Sequence, residues 1–221
     1  ILVIAALLVL VTIILPLLAT ARGLDKSLLT GGTIYFALLG FGFMFVEIGM
    51  LQRLSVFLGH PVYSLSVVLF SIILATGAGS FASGKAPLST PGRFCAWAIL
   101  LGAYVLSMPY WLVPLMSACD HCSIPVKALV SIAVIAPAGS VMGCGFPTGM
   151  RLVENVRAAA APWCWGINGA TGVLASVLAV IMSIAFGIRV TIMIGGVAYL
   201  ALIPCAMLIG FGTINRSPSR A

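Results

Sequence analysis

An all-α bundle of about seven membrane-spanning helices is the fold that this sequence predicts, on three observations. Of its 221 residues 62% are hydrophobic and only 7% are charged, against roughly 25% charged in an ordinary soluble domain. The apolar runs recur at lengths near the ~20 residues that a helix needs to cross about 30 Å of hydrocarbon. The alternating segments of about ten residues that mark a membrane barrel do not occur.

The spans are expected at Ile1–Leu18, Thr33–Leu54, Val62–Phe81, Phe94–Met116, Val126–Phe146, Pro162–Ile188 and Val190–Phe211. The first is an aliphatic run without an initiator Met or a basic leader, so it does not read as a secretory signal peptide, and the chain reads as N-terminally truncated or processed. The second carries a single acid, Glu47, and ends at the turn Leu58-Gly59-His60-Pro61. In the third, Ser71, Ala75, Gly79 and Ser83 recur every four residues and line one face with small side chains, which invites a close neighbouring helix. The fourth ends at the sequence SACDHCSIP. The fifth holds Pro137, Gly139, Gly143, Gly145 and Pro147, each of which weakens or breaks the helical hydrogen-bond ladder, so it should be kinked or broken. Asn168, Gly172 and Ser176, continued by Ala179, Ser183 and Gly187, form a second small-residue stripe in the sixth. No repeat of 20–50 residues and no stretch patterned like a water-soluble domain interrupts these runs, so residues 1–221 read as one transmembrane domain.

A net charge of +7 raises nucleic acid as a partner, but Lys and Arg are scattered singly between apolar runs and build no basic face with aromatics, which excludes that reading. The charge speaks to topology instead. Arg22, Lys26, Lys85, Arg93, Arg151, Arg157, Arg216 and Arg220 fall on one side and Arg53, Lys127 and Arg189 on the other. By the positive-inside rule the former side and the C-terminus are cytoplasmic and the N-terminus is outside. The expected location is a bacterial inner (cytoplasmic) membrane, with the lipid bilayer as an obligate partner.

That topology puts Cys119 and Cys122 on the outer face, around Asp120 and His121. These residue types can bind zinc, yet a lone C-x-x-C outside the cytoplasm favours a disulfide, and no metal is expected. His60 sits where an imidazole caps a helix end or takes a pH-sensing or substrate role. Trp163 and Trp165 suit interfacial anchors. Arg151, Glu154 and Arg157 form a basic segment suited to anionic headgroups or a soluble partner domain.

Glu47 is the sharpest candidate. Arg53, six residues on, is at neither i+3 nor i+4, so it cannot pair along the helix. A carboxylate in hydrocarbon costs several kcal/mol, so Glu47 should face the bundle interior with Gly40, Phe43, Met44 and Leu51 and stay protonated or meet a donor. Gln52, His60, Tyr63, Asn168 or a bound ligand are the candidate partners. The acid is then either a helix lock or a ligand or proton site.

Three blocks, GFGFMFVEIGMLQRLSVFLGHPVYSLSVVLFSIILATGAGS, GFPTGMRL and PWCWGINGATGVLASVLAV, resemble the multi-pass membrane part of the spermidine-synthase-like proteins. In that family membrane helices flank a soluble aminopropyltransferase-type domain. The resemblance runs over about Ile34–Gly187 and rests on Glu47, Gln52 and Leu58–Pro61, on Pro147, Gly149 and Arg151, and on Pro162, Trp163, Trp165, Gly166, Asn168 and Gly169. The soluble domain is not in this chain, so the resemblance carries over no catalytic residue and implies no cofactor. A cytoplasmic synthase domain joined directly before Ile1 would start the first span inside, opposite to the charge count. An additional span before Ile1, or a soluble domain that is absent or external, would reconcile the two.

Three functions are open at this point. One is a non-catalytic membrane module of a spermidine-synthase-like system that binds a small cationic or lipidic molecule and docks a catalytic domain or another protein. Another is a structural subunit of a larger membrane complex. The third is a small secondary transporter, favoured by the broken fifth span and disfavoured by the lack of an evident inverted repeat. An enzyme acting alone is disfavoured, because four acids and two histidines spread over both faces assemble no catalytic set.

Overall fold

The computed structural model describes residues 2–15, 26–85, 88 and 90–206. Arg22, Arg216, Arg220 and the distal ends of the first and last expected spans lie outside the described residues. Among the described residues, six helical spans are long and apolar enough to cross a membrane, two of them interrupted (Ile124–Glu154 and Ile188–Ala206), and a shorter apolar helix precedes them, so the expected all-α membrane bundle is what the chain forms.

In chain order the elements are α1 (Leu2–Val9, continued as a π-helical turn, Leu10–Ile14), α2 (Lys26–Leu58), α3 (Pro61–Lys85), α4 (Pro91–Ala118), α5 (Ile124–Gly143), α6 (Gly145–Arg157), α7 (Ala161–Phe186), α8 (Ile188–Leu200) and α9 (Leu202–Ala206). α2 starts earlier than Thr33 despite Gly31 and Gly32. A methyl at Gly32 would sit 3.4 Å from Cys164 Sγ, so a small residue there lets α7 lie close. The fifth span is interrupted at Cys144, with α5 ending and α6 beginning on either side of it, as its Gly and Pro content requires.

α2 is the central helix. One face packs on α7, where Phe45 meets Ala175 and Ala179. Another packs on α8, where Gly42 approaches Gly195 and a methyl at Gly195 would stand 2.7 Å from Val46 Cγ2. The most extensive helix contact joins α3 to α5. It is a backbone interlock: a methyl at Gly79 would overlap the Ser140 carbonyl, one at Gly143 would overlap Thr76, and one at Gly139 would stand 2.7 Å from Ala75 Cβ. The third-span stripe therefore meets α5 as a close-packing face, with Cys144 Sγ donating to the Gly79 carbonyl at 3.4 Å.

Two turns close helix pairs with almost no loop. Gly59 (φ 75°) and Gly187 (φ 90°) take the left-handed backbone that other residues avoid. Each turn is stapled by a hydroxyl pair, Ser55 to Ser64 at 2.7 Å and Ser183 to Thr191 at 2.8 Å. Both lie at one end of the bundle. Lys26, Lys85, Arg93, Arg151 and Arg157 belong to the other end, where Arg151 donates to Ser83 O at 2.9 Å and to Ser83 Oγ at 3.2 Å and ties α6 to α3.

Candidate functional site

Because α3 and α7 are both held by α2 but do not pack along one another, a cleft remains between them. It encloses about 670 Å³, in the ~300–1,000 Å³ range of small-molecule sites. Gly40, Phe43 and Met44 of α2 line it, as do Phe146 and Pro147 of α6. Ile73 and Gly77 of α3 and Gly169 and Val173 of α7 also line it and are exposed, so the cleft opens sideways from the bundle.

Its polar groups are few and uncharged. Asn168, Ser176, Thr76, Ser80 and Tyr199 line the wall, and no acid does. Asn168 Nδ2 donates to the Phe36 carbonyl at 3.1 Å, which fixes the amide against α2. Thr76 Oγ1 donates to the Ile72 carbonyl at 2.8 Å, within its own helix. Tyr199 is fully buried and its hydroxyl has no hydrogen-bond partner among the described residues. The helix interruption contributes backbone polarity, since Pro147 has no N–H to offer the Gly143 carbonyl four residues back, and both residues line the cleft.

The sequence-predicted site residues do not gather at one point. Glu47 is buried, at 8% exposure, facing the interior as expected, but its Oε2 has no partner among the described residues. It stands one turn beyond Phe43 on the same helix face, and within electrostatic reach of Tyr199. Asn168 is level with Phe36 and Gly40, about 10–16 Å back along α2 from Glu47 at 1.5 Å per residue. Gln52 is half-buried with Oε1 unpartnered, while His60 and Tyr63 are exposed at the far turn, their rings edge to face at 5.8 Å. Asn168 thus belongs to the cleft, Glu47 adjoins it, and the other three lie toward the far end.

The α7 stripe is divided. Gly172 and Ser176 line the cleft, where a methyl at Gly172 would meet only Met44 Cγ, at 3.9 Å. Asn168 packs against Gly40, and Ala179, with Ala175, packs against Phe45. Cys119 and Cys122, the expected disulfide pair, are unbonded in this structure and are brought side by side by a turn in which Cys122 N donates to Cys119 O at 3.1 Å. Partial burial, then the neighbouring Cys122 thiol, pushes the Cys119 thiol up, with Lys127 opposing. Asp120 pairs with Lys127 at 3.6 Å, and among the described residues no three His, Cys, Asp or Glu side chains gather as a metal site. Trp163 Nε1 donates to Thr33 Oγ1 at 2.7 Å, so this ring also ties α7 to α2.

Tyr199, Thr76 and Ser80 were not found from the sequence. Thr76 and Ser80 are four residues apart and one position off the small-residue stripe, a polar pair on a neighbouring face that spacing alone could have shown. Tyr199 carries no such signal.

Fold and cleft together define a polytopic helical membrane protein with a lateral, mainly apolar cavity. No family model, curated protein or solved structure matches the chain.

Proposed function

We propose that the chain is the non-catalytic membrane module of a spermidine-synthase-like protein and that it holds one small amphiphilic molecule in the cleft between α3 and α7. The observation that carries this reading is convergence. The three blocks that resemble the family lie far apart in sequence, yet each supplies wall to the same cavity, through Gly40 and Phe43, through Phe146 and Pro147, and through Asn168 and Gly169. An apolar wall with a few neutral hydrogen-bonding groups suits a lipid-like ligand. A catalytic domain or another protein, outside this chain, would dock at the basic end.

Gly172→Phe tests the reading, because a β-carbon there meets only Met44 Cγ, at 3.9 Å, and the ring must enter the cleft that Gly172 lines. Mass spectrometry of small molecules released from protein purified in mild detergent should find near-stoichiometric ligand in the wild type. The variant should lose the ligand while keeping the wild-type size-exclusion profile. Equal retention in the two proteins would overturn the proposal. A small transporter is the second reading, favoured by the interruption at Cys144 beside the cleft. It requires flux of that ligand in proteoliposomes rather than static occupancy.

The basic end is proposed to be cytoplasmic, in a bacterial inner membrane. In a cysteine-free background, a cysteine at Ser123 should react with a membrane-impermeant maleimide in intact cells. One at Gly92 should react only after permeabilisation. The reverse pattern would invert the topology.

A further inference from the structure

Although consecutive in the chain, α3 and α4 do not pack along one another, and a second cleft of about 800 Å³ lies between them. Ser140, Val141 and Cys144 of α5 line it, and Ala78 and Ala82 of α3 and Ala96 of α4 keep it wide because their side chains are small. All three alanines are exposed, so this groove also faces outward from the bundle. Lys85, the last residue of α3, and Arg93, in the first turn of α4, line the same groove at the basic end. Neither has an acid partner among the described residues. Lys85 Nζ rests 5.5 Å from the Phe81 ring centroid, and the ion pair found among the described residues, Lys127 with Asp120, is at the opposite end. The α4 N-terminus adds partial positive charge beside Arg93.

An apolar groove that ends at two unpaired cations has the charge and shape complementary to one molecule type abundant at that depth. We propose that it binds one anionic phospholipid, with the phosphate between Lys85 and Arg93 and an acyl chain along Ala78, Ala82 and Ala96. Basic pockets between membrane helices recognise headgroups in this way. The site is independent of the ligand proposed for the α3–α7 cleft, from which α3 separates it.

The test uses the full chain in detergent, titrated with phosphatidylglycerol or with phosphatidylcholine of the same acyl chains and read by native mass spectrometry and melting temperature. Phosphatidylglycerol should bind one per chain and raise the melting temperature, and phosphatidylcholine should not. Lys85→Gln with Arg93→Gln should weaken binding about thirtyfold, the effect of removing two cations near an anionic headgroup. Ala96→Phe, which fills the groove and leaves both charges, should weaken it as well. Arg189→Gln, at the far end, should bind like wild type. Equal binding of the two lipids, wild-type binding by either groove variant, or an equal melting shift with inorganic phosphate alone would each overturn the proposal.

Discussion

Gly79→Leu should prevent the bundle from assembling, whereas Gly84→Leu, five residues on in the same helix, should be tolerated. A side chain at Gly79 must enter the space of the Ser140 carbonyl, which is backbone and cannot rotate away. Thr76 and Gly143 meet from the opposite direction, so α3 cannot slide to relieve the overlap without opening a second one. Overpacking a core typically costs about 1–3 kcal/mol when side chains can move, and here backbone must move, so the loss should exceed that range. Nothing lies within 4 Å of a methyl at Gly84. Size-exclusion profiles and melting curves of the two variants should differ sharply, and matching curves would show that the interlock does not hold α3 to α5.

Glu47→Leu should raise the melting temperature. The sequence alone suggests the opposite, because a buried acid is expected to satisfy a donor whose loss costs stability. In the structure Glu47 Oε2 is buried without a partner among the described residues, so the acid brings a desolvation cost that no hydrogen bond at that atom offsets. Replacing it with an apolar side chain of similar size removes a cost of about 1–3 kcal/mol. Glu47→Gln, still polar and still buried, should remain near the wild type. An acid that the fold is more stable without serves something other than folding, so the stabilised Leu variant should also lose the ligand of the adjoining cleft. A destabilised Leu variant would reveal a hydrogen-bond partner and make Glu47 architecture. A stabilised one that keeps its ligand would remove the acid from the site.

The helices were legible because a membrane span is set by length and apolarity, which are properties of the sequence itself. Ser71, Ala75, Gly79 and Ser83 share one buried face, since a four-residue spacing fixes a helix face whatever surrounds it. What stands opposite that face is not local information. Along the α7 stripe Gly172 and Ser176 stand beside open space, while Asn168 meets Gly40 and Ala179, joined by Ala175, meets Phe45. Gly and Pro between 137 and 147 announced an interrupted helix, but its lining of a cleft depends on where α2, α3 and α7 lie. Tyr199 illustrates the limit. A lone tyrosine in an apolar span becomes a cleft residue only once α8 is seated on α2.

The stapled turns at Gly59 and Gly187 bear on how the chain enters its membrane. A residue of extended chain reaches about 3.3–3.6 Å, so α7 and α8, joined through Gly187, can never stand apart at that end. The same holds for α2 and α3, joined through Gly59 and His60. During synthesis neither helix of such a pair can settle in lipid and wait for the other across the bilayer. The smallest unit in which either pair can span the bilayer is therefore the hairpin, the arrangement that Ser55–Ser64 and Ser183–Thr191 close in the folded structure. The bundle is then assembled from inserted pairs, and α2, which carries the cleft and Glu47, arrives with α3 attached.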